Sequence, residues 1–420
     1  MGFNGEDGPV TTKSVLSVTR DAFMSVSASG AQELSLLDQT PIPLSSIDAI
    51  IIETFAIPRT LESGVLSIRC RAPDLGADEV LAALSGLIDR GVVGSERLDR
   101  GSSVSVSGLG MFGCPRLSLE DALRGDSCDV AFVGMPYELG ITGRDGTRRG
   151  PSYLRRCSRV AFDYVEKAGV PDGWWDTLKG RRVLEAVRFA DIGNVSCRDT
   201  ARNGIAFDNL YKVVDMLLSA GRLPVVIGGD HSISYATINA AVARFPRLGV
   251  IHLDAHPDLG RAPGTCRWRQ NLTHGNFMSW LEPAPEIQLV LQLGVRHLLS
   301  EPPYVSEKVM SHPGRGWLSR IEEIASSLPK DHPYFLTCDV DCLDPNVISQ
   351  TGTPVPGGLS YEDVRTAFQT FAKEVNIIGV DIVELTAPRV DENVQEGTII
   401  SYLLFELLAA IFDRRRCREF

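Results

Sequence analysis

Three short segments constrain this chain more than anything else in it: Gly228-Gly229-Asp230-His231-Ser232, Asp254-Ala255-His256-Pro257-Asp258 and Asp339-Val340-Asp341-Cys342-Leu343-Asp344-Pro345. Each follows an apolar run: Val225-Val226-Ile227, Val250-Ile251-His252-Leu253 and Tyr334-Phe335-Leu336-Thr337. Short apolar runs bounded by Gly and Pro read as buried strands. From residue 127 such runs alternate with helical patterns, beginning at Val130-Ala131-Phe132-Val133. Phe207–Ala220 reads as a helix, and Val290 and Ile378 mark later strands. This alternation predicts an α/β fold on a parallel sheet. In such sheets ligands gather outside the carboxyl ends of the strands, so three polar clusters at three strand ends can meet in one place.

The clusters supply His231, Asp254, His256, Asp258, Asp339 and Asp341, four carboxylates and two imidazoles with no thiolate. Oxygen-rich sites favour Mg or Mn, imidazole pulls toward transition metals, and the mixture fits Mn best. Six donors exceed what one ion takes from protein while keeping an open position. Two ions about 3.5–4 Å apart, sharing a carboxylate, use the set more naturally and turn water into a nucleophile at neutral pH. An isolated Asp-x-Asp at a strand end is ordinarily a turn or a helix cap. Three clusters of this kind on one chain are not. All seven histidines also lie after residue 230.

At these residues the chain resembles the ureohydrolase family, the arginases and agmatinases. That family carries the same three segments in the same order. Gly352-Thr353-Pro354-Val355-Pro356-Gly357-Gly358-Leu359, Gly379-Val380-Asp381-Ile382-Val383-Glu384 and Gly146-x3-Gly150-Pro151 look like it too, so the likeness runs from 128 to 412. The resemblance implies a three-layer α-β-α fold with a central parallel sheet and two Mn2+ ions. One ion would be held by His231, Asp254, Asp258 and Asp339, the other by Asp254, His256, Asp339 and Asp341. Asp254 and Asp339 would bridge, and Asp258 would aim the bridging hydroxide. The pattern implies His274, in Thr273-His274-Gly275, as proton shuttle to the leaving amine. Glu384 would pair with the substrate guanidinium, and Asp230 would orient a ligand. Asn194 stands where the family often has an acid. Trimers or hexamers are implied as well.

The chemistry explains these residue types. A guanidinium is a poor electrophile and needs a strong nucleophile. Its leaving amine must be protonated, which a histidine near its own pKa can do. Its positive charge suits a carboxylate such as Glu384. The expected reaction cleaves a guanidino group to an amine and urea. Between Asp258 and His274 the chain holds Arg261, Arg267 and Arg269 and no acid. Such a wall should repel agmatine, whose far end is a second cation. The expected substrate is an arginine, free or within a peptide, or a guanidino acid, with peptidyl arginine and guanidino acids ranked above agmatine and ornithine or an amino acid as product. An agmatinase, a formimino or amidino hydrolase, and a non-catalytic binding protein on the same scaffold are the alternatives.

At 420 residues the chain can bury a large core, and 44% apolar with 23% charged residues is a globular composition. A net charge of −11 argues against general nucleic-acid binding. No run of about 18 apolar residues predicts a membrane span, and Met1–Val10 lacks a signal-peptide pattern, so a cytoplasmic location is expected. Nine cysteines show no metal-type spacing, and Cys338-x3-Cys342 reads as free core thiols.

Three regions are expected. Residues 1–92 form an accessory region without His, Trp or Tyr. Residues 93–126, rich in Gly and Ser, read as a linker or surface excursion, and 127–420 as the catalytic domain. Asp78–Arg90 spaces Val80, Leu81, Leu84, Leu87 and Ile88 along one helical face. Ile47–Ile52 is too short to tell strand from buried helix. If it is helical, helix, helix and the strand at Val92-Val93 would be winged-helix-like, resembling small domains that recognise leader peptides. A decorating extension is the other reading.

Overall fold

The computed structural model describes the chain from residue 110 onward, apart from 168, 198–204, 261–270, 303, 305, 388–393 and 418–420. Before 110 it describes 3–5, 8–10, 15–18, 22–26, 32–36, 42–43, 45–54, 59–60, 65, 68–69, 72, 74–89 and 93–96. Two compact units result, Met1–Ser105 with Ser196–Thr200, and Val106–Val195 with Ala201–Phe420.

The larger unit is built on the apolar runs. They form β1 (Val130–Met135), β2 (Phe189–Asn194), β3 (Leu223–Gly228), β4 (Leu248–Leu253), β5 (Ile287–Leu293), β6 (Val309–His312), β7 (Tyr334–Asp339) and β8 (Ile377–Val383). Their order in the sheet is β2-β1-β3-β8-β7-β4-β5-β6, and every neighbouring pair is parallel. β1, β3, β4, β7 and β8 are buried at every position, which requires cover on both faces. On one face α1 (Gly150–Ala161), α4 (Ile321–Ser327), α5 (Tyr361–Glu374) and α6 (Gln395–Arg416) join Phe132, Val225, Leu336 and Ile382 in one core. On the other, α2 (Ile205–Ser219) packs on α3 (Ser234–Val242), α2 against β3 and α3 against β7 and β8. The layers are therefore α-β-α, as expected. α5 starts at a reciprocal Ser360–Asp363 cap. Among the described residues α6 alone is long and apolar enough to cross a membrane, but it is 67% buried and packs against α1 and α5 as a core helix.

This order puts the ends of β3, β8, β7 and β4 side by side at the middle of the sheet. All three motifs, and Glu384 after β8, leave from those four neighbouring ends.

The stretch 93–126 does not behave as one linker. Val93–Glu96 is a strand, 97–109 lie outside the described residues, and from Gly110 the chain enters the core. Met111, Phe112 and Cys114 are fully buried. The Phe112 ring lies 5.1 Å from Phe162 and 5.6 Å from Phe132. A Cβ on Gly110 would come within 2.1 Å of the Asp191 Cβ, so this glycine permits close packing. Composition alone cannot separate that use of glycine from a flexible one.

In the smaller unit, helices Ser46–Thr54 and Ala77–Asp89 bury Ile51, Ile52, Val80, Leu84 and Leu87 together with Ile68 and Val93. The run at Ile47 is thus helical. Val93–Glu96 pairs antiparallel with Val15–Val18, which also pairs with Arg59–Thr60. Ala22–Val26, Gln32–Leu36 and Ile42–Pro43 make a second antiparallel sheet.

Because Phe112 is a core residue, Phe112→Ala should cost about 3–5 kcal/mol. Urea denaturation followed by fluorescence checks this. A loss below about 1 kcal/mol would mean that the segment packs only loosely.

Candidate active site

Each cluster is held by its own strand end. β3 stops at Gly228-Gly229, where a Cβ on Gly229 would lie 2.0 Å from the Tyr137 carbonyl oxygen, so only glycine fits. Asp230 then caps the turn that carries His231 by accepting from the Ser232 amide, and its other oxygen accepts from Gly140 at 2.8 Å. After β4 the chain turns sharply, with Asp258 at φ 43°. Asp339 ends β7 and caps the next turn through the Asp341 amide at 2.8 Å. Glu384 leaves β8 at φ 64°. Two non-glycine residues in the left-handed region at one place are backbone strain that the surrounding packing must hold.

The side chains converge. His231 Nδ1 lies 3.0 Å from Asp254 Oδ2, 3.2 Å from Asp258 Oδ2 and 3.3 Å from Asp339 Oδ2. His256 Nδ1 lies 3.0 Å from Asp341 Oδ2 and 3.4 Å from Asp254 Oδ1. Asp254 thus gives one oxygen to each imidazole. His231 Nε2 is 2.9 Å from the Thr337 hydroxyl, which leaves Nδ1 facing the acids. Beside them His274 Nδ1 is 3.0 Å from Glu384 Oε1, and that oxygen also accepts from the His231 amide at 2.8 Å. The Thr142 amide donates to His274 Nε2 at 3.0 Å. All eight residues named from the sequence are therefore brought together. A pocket of about 350 Å³ opens beside His256 and Asp258, its wall also including Leu259, Asn276, His297 and Leu299.

Five of these groups are carboxylates, and none is more than 5% exposed. Burial and the nearby Asp341 and Asp254 charges push Asp339 well up, and burial with Asp254 raises Asp258. Asp341 is pushed up to about 6 by burial and Asp254. Burial works against charge on Asp254 too, but the adjacent imidazoles of His231, His252 and His256 outweigh it and hold Asp254 well below the usual range. Burial opposes charge on His256, and Asp254 and Asp341 overcome it, to about 11. For His274 burial is again outweighed, here by Glu384, to about 9. The Thr142 amide opposes that rise, because it needs a lone pair on Nε2. One proton, on Nδ1 facing Glu384, satisfies both neighbours.

The donor set suits divalent cations. Donor atoms of His231, His252, Asp254 and Asp258 lie within 4.8 Å of one another, as do those of Asp254, His256 and Asp341. His231 Nδ1 is buried with no hydrogen-bond partner, although three carboxylate oxygens surround it. That is the arrangement of atoms that face a common cation. His252, Thr142 and Gln292 also join the site, and none of them belongs to a motif. His252 was visible only as a polar residue within an apolar run. The arginines at 261, 267 and 269 lie outside the described residues.

The sequence profile of the arginase family matches residues 128–409. The chain belongs to the arginase family. An agmatinase from Chromobacterium violaceum is 27% identical over 322 residues, covering 75% of this chain and 93% of that one. An arginase from Bacillus caldovelox is 29% identical over 303 residues, covering 66% and 97%. Among solved structures, proclavaminate amidino hydrolase from Streptomyces clavuligerus superposes with a TM-score of 0.62 at 22% identity, covering 74% of this chain and 100% of that one. A hypothetical agmatinase from Burkholderia thailandensis gives 0.60 at 26% identity, covering 76% and 98%. As a member of the arginase family the chain is a metal-dependent hydrolase of C–N bonds in linear amidines.

Metal ligands must be deprotonated, so cations and protons compete here. His256, near 11 beside Asp254 and Asp341, carries a proton at neutral pH that a cation bound there would expel, and Asp341 would add to this below about 6. Apparent affinity for a divalent cation should therefore rise from pH 6 to pH 8, with at least one proton released per chain. Titration calorimetry in two buffers of different ionisation heat measures this. No proton release would contradict it.

Proposed function

We propose that this arginase-family enzyme uses two manganese ions to cleave a guanidino group to an amine and urea, acting on arginine, free or within a peptide, or on a guanidino acid. The observation that carries this reading is the sharing of Asp254 between two donor groups, with the His274–Glu384 pair alongside. His231, Asp254, Asp258 and Asp339 would hold one ion, and Asp254, His256, Asp339 and Asp341 the other. Their mixture of carboxylate and imidazole favours manganese. When bound, the ions supply Lewis acidity and a strong nucleophile made from water at neutral pH.

The chain's own groups do the rest. Glu384 uses Oε1 for His231 and His274, while Oε2 is buried with no protein partner. That oxygen accepts the guanidinium N–H groups in a charge-assisted bond. Gly352 leaves the room, since a Cβ there would sit 3.2 Å from Oε2. Asp258 accepts a hydrogen bond from the attacking water and orients it. His274, whose pKa of about 9 favours taking a second proton from solvent, gives one proton as the imidazolium to the departing nitrogen and returns to the neutral ring.

Farther out, the preference follows charge. The described pocket wall holds no carboxylate besides Asp258, and the sequence between Asp258 and His274 carries Arg261, Arg267 and Arg269 and no acid. These residues offer no carboxylate partner to agmatine's second cation, whereas a carboxylate or an uncharged peptide bond does not need one. Residues 1–92 would serve as a docking module for a larger substrate, and the subunits as a trimer or hexamer. Hydrolysis of agmatine itself is the second reading, favoured by relatives such as the Chromobacterium violaceum agmatinase at 27% identity.

Comparing kcat/KM of the manganese-loaded full chain for an arginine-containing peptide, 4-guanidinobutyrate, arginine and agmatine tests the substrate. Agmatine should be the poorest, and agmatine as clear best would overturn the ranking. His274→Ala should keep its metal and lose about 10²–10⁴-fold in kcat. Glu384→Gln should keep its metal and mainly raise KM. Metal loss from Glu384→Gln, read by elemental analysis, would remove it from substrate binding.

A further inference from the structure

Behind Asp254 lies a histidine that none of the motif roles uses. His252 is fully buried on β4, with Nε2 2.9 Å from Asp254 Oδ2. Its Nδ1 is 3.2 Å from Nε2 of Gln292, its partner in the register of β4 and β5. The same Gln292 nitrogen is 2.6 Å from the Pro257 carbonyl oxygen. A carbonyl oxygen only accepts, so the Gln292 atom beside it is the NH2 group. The flipped amide would press two oxygens together. An NH2 group donates twice. One hydrogen goes to Pro257 and the other to His252 Nδ1, which must then hold a lone pair. The ring proton is therefore on Nε2 and is donated to Asp254 Oδ2.

We propose that Gln292 and His252 form a positioning relay for Asp254. Gln292 fixes the tautomer of His252, and the Nε2–H of His252 fixes the rotation of the Asp254 carboxylate. Asp254 then directs Oδ2 toward His231 and Oδ1 toward His256. The bond to Pro257 ties the same relay to the turn that carries Asp258. The proton on Nε2 also keeps His252 from acting as a ligand, although its ring nitrogen lies within 4.8 Å of donor atoms of His231, Asp254 and Asp258. The ring cannot swing aside, because it packs against the rings of His231 at 5.1 Å and Phe277 at 5.7 Å. Partners behind a metal ligand typically govern affinity in this way. The inference rests on the reading of this site as a two-ion centre.

The test uses the full chain and three variants. Gln292→Glu keeps the shape but removes both donated hydrogens, so the ring proton moves to Nδ1 and Asp254 loses its donor. His252→Leu removes the donor outright. His252→Gln places an amide NH2 near the position of Nε2. Manganese affinity is read by competition with a chelator, with metal content by elemental analysis and melting of the chelated protein alongside. Affinity should fall about 10–100-fold in Gln292→Glu and His252→Leu and largely return in His252→Gln. A merely structural role would lower the melting point of the metal-free protein and leave affinity unchanged. Wild-type affinity in Gln292→Glu overturns the relay, and that isosteric variant decides even if His252→Leu does not fold. A wild-type chain that binds no manganese in the same competition overturns the two-ion reading instead, so the two failures are distinguishable.

Discussion

Asp254, Asp258, Asp339, Asp341 and Glu384 meet at the carboxyl end of the sheet, none more than 5% exposed. Carboxylates removed from water are stable only when positive charge or hydrogen bonds replace the lost hydration. Here the side chains of His231, His252, His256 and His274 face those acids directly. Four imidazoles, even all protonated, cannot balance five anions. Protons on the acids or divalent cations among them must make up the difference. The upward shifts of Asp339, Asp258 and Asp341 show the first solution, and the convergence of their oxygens suits the second.

The fold maintains this crowding by rigid means. β3, β8, β7 and β4 stand next to one another, so residues far apart in sequence leave the sheet within reach of each other. The loops are clasped from behind. Arg296 donates from Nη2 to the Asp341 carbonyl at 2.8 Å and the Val355 carbonyl at 2.6 Å. The Glu384 amide donates to the Gly229 carbonyl at 2.9 Å, which ties the end of β8 to the His231 turn. These bonds hold the left-handed backbone at Glu384 in place. They also explain why the site is formed from four strand ends rather than from one mobile loop.

The sequence made the site legible because each motif is local. Gly229, Asp230 and His231 lie together, as do Asp254 to Asp258 and Asp339 to Asp341, and each follows an unmistakable apolar run. What could not be read depends on pairing across the sheet. Gln292 meets His252 through the register of β4 and β5, and Thr142 reaches His274 across 132 positions of chain. Neither pairing has a periodic signature. The segment from Gly110 to Cys114 was misleading for a different reason. Its glycines resemble a linker in composition, yet Gly110 is there because Asp191 leaves no room for a Cβ. At Ile47 the run was too short for its period to decide, and the contacts of its neighbours make it a helix.

In the proposed two-ion centre Asp254 lies between the cations. Anomalous diffraction at the manganese edge, from crystals of the manganese-loaded chain, tests it directly. Two peaks per chain are expected, one within ligand distance of His231 and the other of His256, both touching Asp254. A single peak, or a pair that does not share Asp254, would contradict it.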